Sequence, residues 1–481
     1  MIKDAFLQLM KKEFPFSFTQ EQEKIARQLC DFILTPDPRS AFILRGYAGT
    51  GKTTLVSALA RVLQRLERPV VLMSPTGRAA KVLSSKAGHA AYTIHKVIYR
   101  QKRRNDRSAG FTLNYNKWKN TLFIIDESSM ISNVAASHVV FGSGHLMDDL
   151  IEFVYSGNGC RILFMGDTAQ LPPVGENEGP ALQAACVAEY GLHVTSSELS
   201  EVVRQSQKSG ILYNATQLRK HLMTFNTTQI PSLRFSGFND LHSVPGDELI
   251  EALEHSYDHF GTDQTIVITR SNKRAVVYNR GIRSTIFGRD GMLTKGDVVM
   301  IARNNYYWTE KLQSEMGQAN RLPMDFIANG DIAIVSNIKH FTELYGLHFA
   351  DTTLTFPDYD GFEMNVRVIL DALHSETPAL PDALSEQLYH GVMDDLSDYP
   401  TKRQKLEQLG MDPNYNALQI KYAYAVTCHK AQGGQWKHVF IDQGWIPGDG
   451  VDSDYYRWLY TAFTRAESSL DLVNWPTDKS F

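Results

Sequence analysis

At 481 residues the chain exceeds what one hydrophobic core organises, so at least two domains, and by size a third, are expected. Its 43% hydrophobic and 21% charged content are ordinary for a soluble globular protein, and a formal net charge of −4 argues against a uniformly basic nucleic-acid coat protein. That average leaves room for a local basic groove. Cys30, Cys160, Cys186 and Cys428 lie too far apart for a zinc or iron–sulfur spacing and read as reduced, buried thiols. Met1 to Phe14 carries Lys3, Asp4, Lys11, Lys12 and Glu13 with no long apolar core, so no signal peptide is expected there. No window approaches the apolar length of a membrane-spanning helix. A cytoplasmic location without a membrane partner is the expectation by elimination.

In chain order, Phe18 to Leu34 reads as an amphipathic helix with Thr19 as N-cap and Gln22 at its third position, a capping-box spacing. Capping alone explains both residues; so would a glutamine that touches the base of a nucleotide held by the next strand. That strand is Ala41 to Arg45, followed by GYAGTGKTT from Gly46 to Thr54 and a helical run to Arg65. Strand, glycine-rich loop and helix are the context of the P-loop. Gly46, Gly49 and Gly51 let the backbone curl so that its N–H groups, with those of Ala48, Thr50 and Thr54, face one centre. Lys52 is expected to reach the β- and γ-phosphates and Thr53 to hold Mg²⁺. Binding of a nucleoside triphosphate follows.

Pro69 to Met73 is a second buried strand, running into Ser74-Pro-Thr-Gly-Arg-Ala-Ala-Lys81. A strand end followed by hydroxyl and basic residues and then a helix suits phosphate contacts, although an ordinary turn with solvated Arg78 and Lys81 has the same pattern. From Lys96 to Lys119 eight bases stand against one acid, Asp106, with Phe111, Tyr115 and Trp118 among them. Bases neutralise a phosphate backbone and aromatics stack on nucleobases. Gly110 allows a β-hairpin here; a solvated charged loop is the alternative.

Thr121 to Ile125 is a third buried strand ending in Asp126-Glu127. In a P-loop enzyme the first acid holds Mg²⁺ through water and the second orients or deprotonates the attacking water. Arg161 to Met165 leads into Gly166-Asp-Thr-Ala-Gln-Leu-Pro-Pro-Val174, where Gln170 is placed to feel the γ-phosphate. Arg204 is a possible stabiliser of phosphate charge. A second strand–helix series starts near Gln264, and residues 293–375 alternate like a small antiparallel barrel or sheet. Glu376 to Pro413 is polar with several prolines and predicts short helices. Ala423 to Val426 leads into Thr427-Cys-His-Lys-Ala-Gln-Gly433, and Arg465 lies near the end of a later helical run.

Taken together and in this order, the motifs resemble a superfamily 1 helicase, and specifically the superfamily 1B, RecD-like and Dda-like branch, over nearly the whole chain. No Pro-Phe-Gly-Gly stretch, the mark of the telomere-associated branch, occurs between Asp126 and Asp167. The resemblance implies that Gln22 contacts adenine and that Gln170 senses the γ-phosphate. It implies that Arg204 and Arg465 are brought to the phosphate. DNA contacts are implied for Pro75, Thr76 and Arg78, for Thr93 and His95, and for Thr427, His429 and Lys430.

The implied fold is α/β, with two RecA-like P-loop domains, a β-hairpin inserted in the first and an SH3-like β insertion in the second. The corresponding division is 1–205 with a hairpin at 98–120 carrying Phe111 and Trp118, then 206–292 with 418–481, and 293–417 as the insertion. The implied activity is ATP-dependent, Mg²⁺-assisted 5′→3′ movement on single-stranded DNA with unwinding at ss/dsDNA junctions. The expected form is a monomer working among replication or repair proteins. A DNA-stimulated translocase subunit that does not unwind alone, and a P-loop phosphotransferase, are the other classes weighed.

Overall fold

The structure is a computed structural model that describes residues 2–101, 111–135, 141–202, 208–224, 227–317, 322–324, 326–446, 451–476 and 479. Arg204 and the centre of the basic segment, 102–110, lie outside the described residues.

The strands of the first half are β1 (Ser40–Gly46), β2 (Val70–Ser74), β3 (Ala91–Thr93), β4 (Tyr99–Gln101), β5 (Phe111–Leu113), β6 (Leu122–Ile125), β7 (Arg161–Gly166) and β8 (His193–Leu199). Six form one parallel sheet in the order β3-β2-β6-β7-β1-β8. Its central strands are continuous apolar runs because helices cover both faces. Phe42 and Leu44 of β1 point into the core made with helices 20–34 and 52–65; Ala41 and Ile43 point into the opposite core with helix 146–156. The carboxyl ends of these strands therefore converge on one edge, where loops carry the phosphate-binding and acidic residues.

β4 and β5 form a separate antiparallel hairpin, Tyr99 opposite Leu113 and Gln101 opposite Phe111. The described ladder stops at Leu113, short of the predicted limit at 120. Trp118 lies beyond it, edge-on to Phe123 (5.6 Å) and Phe153 (6.1 Å). That is the amino end of β6, opposite to Asp126.

In the second half come β9 (Leu241–Val244), β10 (Thr265–Thr269), β11 (Val298–Ile301), β12 (Ile332–Leu344), β13 (Leu347–Phe356), β14 (Phe362–Ile369), β15 (Leu418–Tyr422), β16 (Ala425–Thr427), β17 (Trp436–Asp442) and β18 (Ala466–Val473). A second parallel sheet has the order β16-β10-β17-β18-β9, and β11 to β15 close a barrel. This is the expected class, two RecA-like sheets with an SH3-like barrel. One segment sits differently from its predicted place: 418–422 is barrel strand β15, antiparallel to β11 and parallel to β14. The segment between β14 and β15 forms helices Asp382–Asp395 and Lys402–Leu409, which bury Leu388, Val392 and Leu409 against Leu347 and Phe349 of the barrel. Apolar burial of that kind explains why a polar stretch folds at all.

Candidate active site

The phosphate-binding loop is shaped by glycines in the left-handed region, Gly49 at φ +75° and Gly51 at +83°. A Cβ on Gly51 would stand 2.8 Å from Gln22 Nε2. Gln22 makes the predicted capping box: its Oε1 accepts from the Thr19 amide (3.1 Å) while its own amide donates to Thr19 Oγ1 (3.2 Å). The locked carboxamide then donates through Nε2 to the Thr50 carbonyl at 3.0 Å. Helix cap and loop support are thus one device, and spacing alone could not separate them. Thr50 Oγ1 and Lys52 Nζ both donate to the Tyr47 carbonyl at 2.8 Å. Helix 52–65 starts at Lys52, with Thr53 and Thr54 in its first turn, so its positive end faces the loop.

Across the sheet, the Asp126 amide donates to the Met73 carbonyl at 2.9 Å, and Asp126 Oδ1 accepts from the Glu127 amide at 2.8 Å. Glu127 adopts φ +52°, a left-handed turn directly after β6. Burial, and next the neighbouring Glu127, hold the Asp126 carboxyl well above the usual carboxylate range, while Lys52 pulls it down. Asp167 is raised in the same way, by burial first. A carboxylate so placed fits a cation. Among the described residues no cluster of three or more His, Cys, Asp or Glu could hold a metal unaided, so the donor set fits a cation shared with nucleotide oxygens and the Thr53 hydroxyl.

The loop after β7 joins this site to the second sheet. Helix 453–463 reaches over it. Arg457 donates to the Thr168 carbonyl at 2.6 Å, and Thr461 Oγ1 accepts from the Leu171 amide at 2.8 Å. Gln432 Nε2 donates to the Leu171 carbonyl at 2.7 Å. Tyr460 donates to Asp167 Oδ2 at 2.6 Å and accepts from the Ala48 amide of the phosphate loop at 3.0 Å. Gln170 is buried, and its Oε1 has no hydrogen-bond partner. A buried acceptor left open is costly, and it fits a group arriving with the substrate.

Arg465 closes the constellation. It is 3% exposed, donates to the Gly434 and Thr461 carbonyls at 3.2 Å each, and lies 4.0 Å from Glu127 Oε1. Lys52, Asp126, Glu127, Gln170 and Arg465 therefore gather at one cleft between the sheets; Arg204 is outside the described residues. The sequence reading missed Arg457, Tyr460 and Thr461. Their spacing was the available signal, since 457, 460 and 461 share one face of helix 453–463, which ends just before Arg465.

The expected DNA contacts divide. Thr76 caps helix 77–87, accepting from the Ala79 amide at 3.2 Å, and a Cβ on Gly433 would come 2.7 Å from its Oγ1. The half-buried Pro75–Thr76 turn and the segment begun by Thr427 thus abut across the cleft. Arg78 is not free to meet a phosphate: it stacks on Trp436 (4.0 Å to the ring centroid) and donates to the Gln435 carbonyl at 2.8 Å.

Thr93 caps the short helix 94–98, accepting from the Lys96 amide at 3.2 Å. His95 lies among rings, 4.7 Å from Phe141 and 5.6 Å from Tyr99, and burial lowers it to about 4, so it offers no charge at neutral pH. Phe111 packs on Phe141 (4.9 Å) and on Tyr306 (4.6 Å), which precedes helix 307–316. The end of the β4–β5 ladder that adjoins residues 102–110 is thereby tied to the inserted region. Trp118 lies away from this face. His429 is exposed and its imidazole is lowered by desolvation, with Asp454 opposing, and Lys430 is lowered to about 8 by burial.

Comparison with known proteins accords with this geometry. A family described as an AAA domain matches residues 17–228, and a UvrD-like helicase C-terminal domain matches 422–473. The chain is 22% identical to an uncharacterised protein of Acanthamoeba polyphaga mimivirus over 95% of its own length and 99% of that protein. It is 31% identical to the ATP-dependent RecD2 DNA helicase of Deinococcus radiodurans over 41% of this chain, which spans 23% of that helicase. Among solved structures, Pif1 helicase from Bacteroides in complex with ADP-AlF3 and ssDNA aligns over 96% of this chain and 94% of its own, at 16% identity and a TM-score of 0.45. The phosphate loop and the acidic strand end lie within the first of these family matches, and Arg457 and Arg465 within the second, so the chain carries an AAA-domain match followed by a UvrD-like helicase C-terminal match.

Proposed function

We propose that the chain is an ATP-dependent DNA helicase that moves 5′→3′ on single-stranded DNA and opens ss/dsDNA junctions, acting as a monomer. The observation that carries this is Arg465, in the turn between helix 453–463 and β18 of the second sheet, lying 4.0 Å from Glu127 at the end of β6 in the first sheet. A site split between two sheets can convert hydrolysis into relative motion of those sheets. In this reading Lys52 leaves the Tyr47 carbonyl for the phosphates of ATP. Glu127 activates water, Gln170 orients it with its open Oε1, and Arg465, with Arg204, stabilises charge on the transferring phosphoryl. Thr53 and Asp126 would hold Mg²⁺, which supplies charge neutralisation on the phosphates. Loss of the γ-phosphate lets the cleft reopen, and the abutting Thr76 and Thr427 segments exchange their grip on the strand. The direction of travel rests on the family resemblance. The fitting context is cytoplasmic, among replication or repair proteins.

The test is ATP-driven unwinding of 5′-tailed, 3′-tailed and blunt duplexes. Unwinding of the 5′-tailed duplex alone is expected. DNA-stimulated ATPase without unwinding would point to a translocase subunit, and ATPase indifferent to DNA would overturn the proposal.

A further inference from the structure

The basic pair Arg219-Lys220 near the end of helix 210–223 divides in the fold: Lys220 is exposed, whereas Arg219 is buried at 8% exposure. Burying a guanidinium is unfavourable unless something compensates it. Arg219 stacks on the Tyr47 ring, 4.1 Å from its centroid, and donates through Nη1 to the Ser200 carbonyl at 3.4 Å; its Nε has no hydrogen-bond partner. Tyr47 follows Gly46 in the phosphate loop, yet its ring lies in the apolar core of the second sheet with Ile211 and Leu218 of the same helix. Its hydroxyl donates to Glu198 Oε1 at 2.6 Å, and its carbonyl is the one that accepts from Lys52 Nζ at 2.8 Å. Burial raises the Tyr47 hydroxyl, as does Glu198, and Arg219 opposes both. Leu212 covers the next bend, since a Cβ on Gly49 would stand 3.2 Å from its side chain. Helix 210–223 therefore grips the loop at two points.

We infer that Arg219 is a positioning residue of the phosphate loop: stacked on Tyr47, it fixes the carbonyl on which Lys52 rests and so sets the loop to receive the phosphates. The inference rests on the proposed function, in which this loop binds ATP. Arg219 acts through the loop rather than on the nucleotide. Its planar guanidinium fixes the ring, the ring fixes its own peptide, and that peptide holds the lysine that must transfer. An arriving triphosphate also brings negative charge to the loop on which Arg219 stacks, and burial leaves that attraction little screened. Because Arg219 belongs to the core of the second sheet, the loop is preset only while the two sheets are together. Neither residue carries a signal in the sequence. Tyr47 fills an unrestricted position of the P-loop pattern, and Arg219, beside Lys220 and His221, reads as a solvated base.

The experiment measures steady-state ATPase over a series of ATP concentrations, and affinity for a fluorescent ADP analogue, for the full chain and for Arg219→Met, which keeps an unbranched stem and removes the charge. The expected result is a KM for ATP and a Kd for the analogue each raised about tenfold, the scale of a desolvated cation–π contact, with kcat at saturation within about twofold. Arg219→Lys should recover most of the loss, because an ammonium still faces the ring. Tyr47→Leu should raise KM by a similar factor and the double variant no further, since both changes remove one contact. Thermal unfolding reports whether each variant is folded; should Arg219→Met unfold, Arg219→Gln keeps a planar polar head without the charge and takes its place.

An unchanged KM in a folded, charge-less variant overturns the positioning role while leaving nucleotide binding intact. A lower kcat at unchanged KM would put Arg219 in the chemical step, and additive losses in the double variant would make its effect independent of Tyr47; either overturns the proposal. Absence of both analogue binding and ATPase in the unaltered chain overturns the nucleotide reading beneath it.

Discussion

The hydroxyl of Tyr460 bridges Asp167, at 2.6 Å, and the Ala48 amide, at 3.0 Å, so one buried oxygen of the second sheet's helix holds two loops of the first sheet together. Both loops line the candidate nucleotide cleft. Removing the hydroxyl leaves a buried carboxylate short of a donor, which costs roughly 1–3 kcal/mol. Tyr460→Phe is expected to lower the thermal midpoint by a few degrees. It should also reduce DNA-stimulated ATPase more than the ATPase without DNA, because the bridge links the loops that must move together. Steady-state rates with and without oligonucleotide, beside a melting curve, test this; an equal loss of both rates would reduce Tyr460 to a packing residue.

Arg465 is fixed by carbonyls of Thr461, in the helix that precedes it, and of Gly434, and is aimed across the cleft at Glu127. A guanidinium that meets the phosphate only during transfer affects kcat more than substrate binding. Arg465→Ala should lower kcat by about a thousandfold or more, the scale of arginine fingers, with a small change in KM for ATP. Arg465→Lys should rescue little, since an ammonium cannot keep the planar set of bonds. A kcat within tenfold of the unaltered chain would remove Arg465 from the chemistry.

The raised Asp126 carboxyl predicts a pH dependence. Its shift comes first from burial and then from Glu127, so without a cation the protonated form persists above the usual carboxylate range. A divalent cation and the proton then compete for one group. At limiting Mg²⁺, ATPase should fall as pH drops from 8 to 6, and excess Mg²⁺ should restore it. In stability the sign is the reverse: burial favours the neutral form, so this group's contribution is lost as pH rises above its unfolded value. Asp126→Asn should therefore be more stable than the unaltered chain at pH 8 while losing ATPase. Melting curves at two pH values, with rates over a Mg²⁺ series, check both signs.

Phe111 and Trp118, adjacent in the sequence reading, separate in the structure. Phe111 sits at the loop-side end of the described β4–β5 ladder among Phe141, Tyr306 and Phe326. Trp118 packs on Phe123 and Phe153 at the far end of β6. Phe111→Ala should reduce base pairs opened per ATP hydrolysed while DNA-stimulated ATPase stays within about twofold. Trp118→Ala should lose stability, on the order of 3 kcal/mol or less because the ring is partly exposed, and keep its unwinding per ATP. Denaturant titration and paired unwinding and ATPase assays distinguish them. Equal uncoupling by both variants would contradict the placement of Trp118.

The nucleotide half of the site was legible in the sequence because its chemistry is local. Gly46 to Thr54 lie between a strand and a helix that are themselves contiguous, and Asp126-Glu127 end an apolar run with no other reason to be acidic. Thr19 and Gln22 announced a helix cap for the same reason. Long-range placement was not legible. Nothing in the spacing tells that Gln22 supports Thr50, that Arg78 stacks on Trp436, or that His95 is neutralised among rings. Those outcomes depend on which surfaces two separately folded sheets bury against each other, and period and propensity carry no information about that. The strand 418–422 shows the same limit: its pattern says strand, but only partner geometry assigns it to the barrel rather than to the sheet that follows. Sequence determined where the glycine-rich loop and the strand-end acids lie; tertiary structure decided which polar residues remain free to meet a ligand and which hold the halves together.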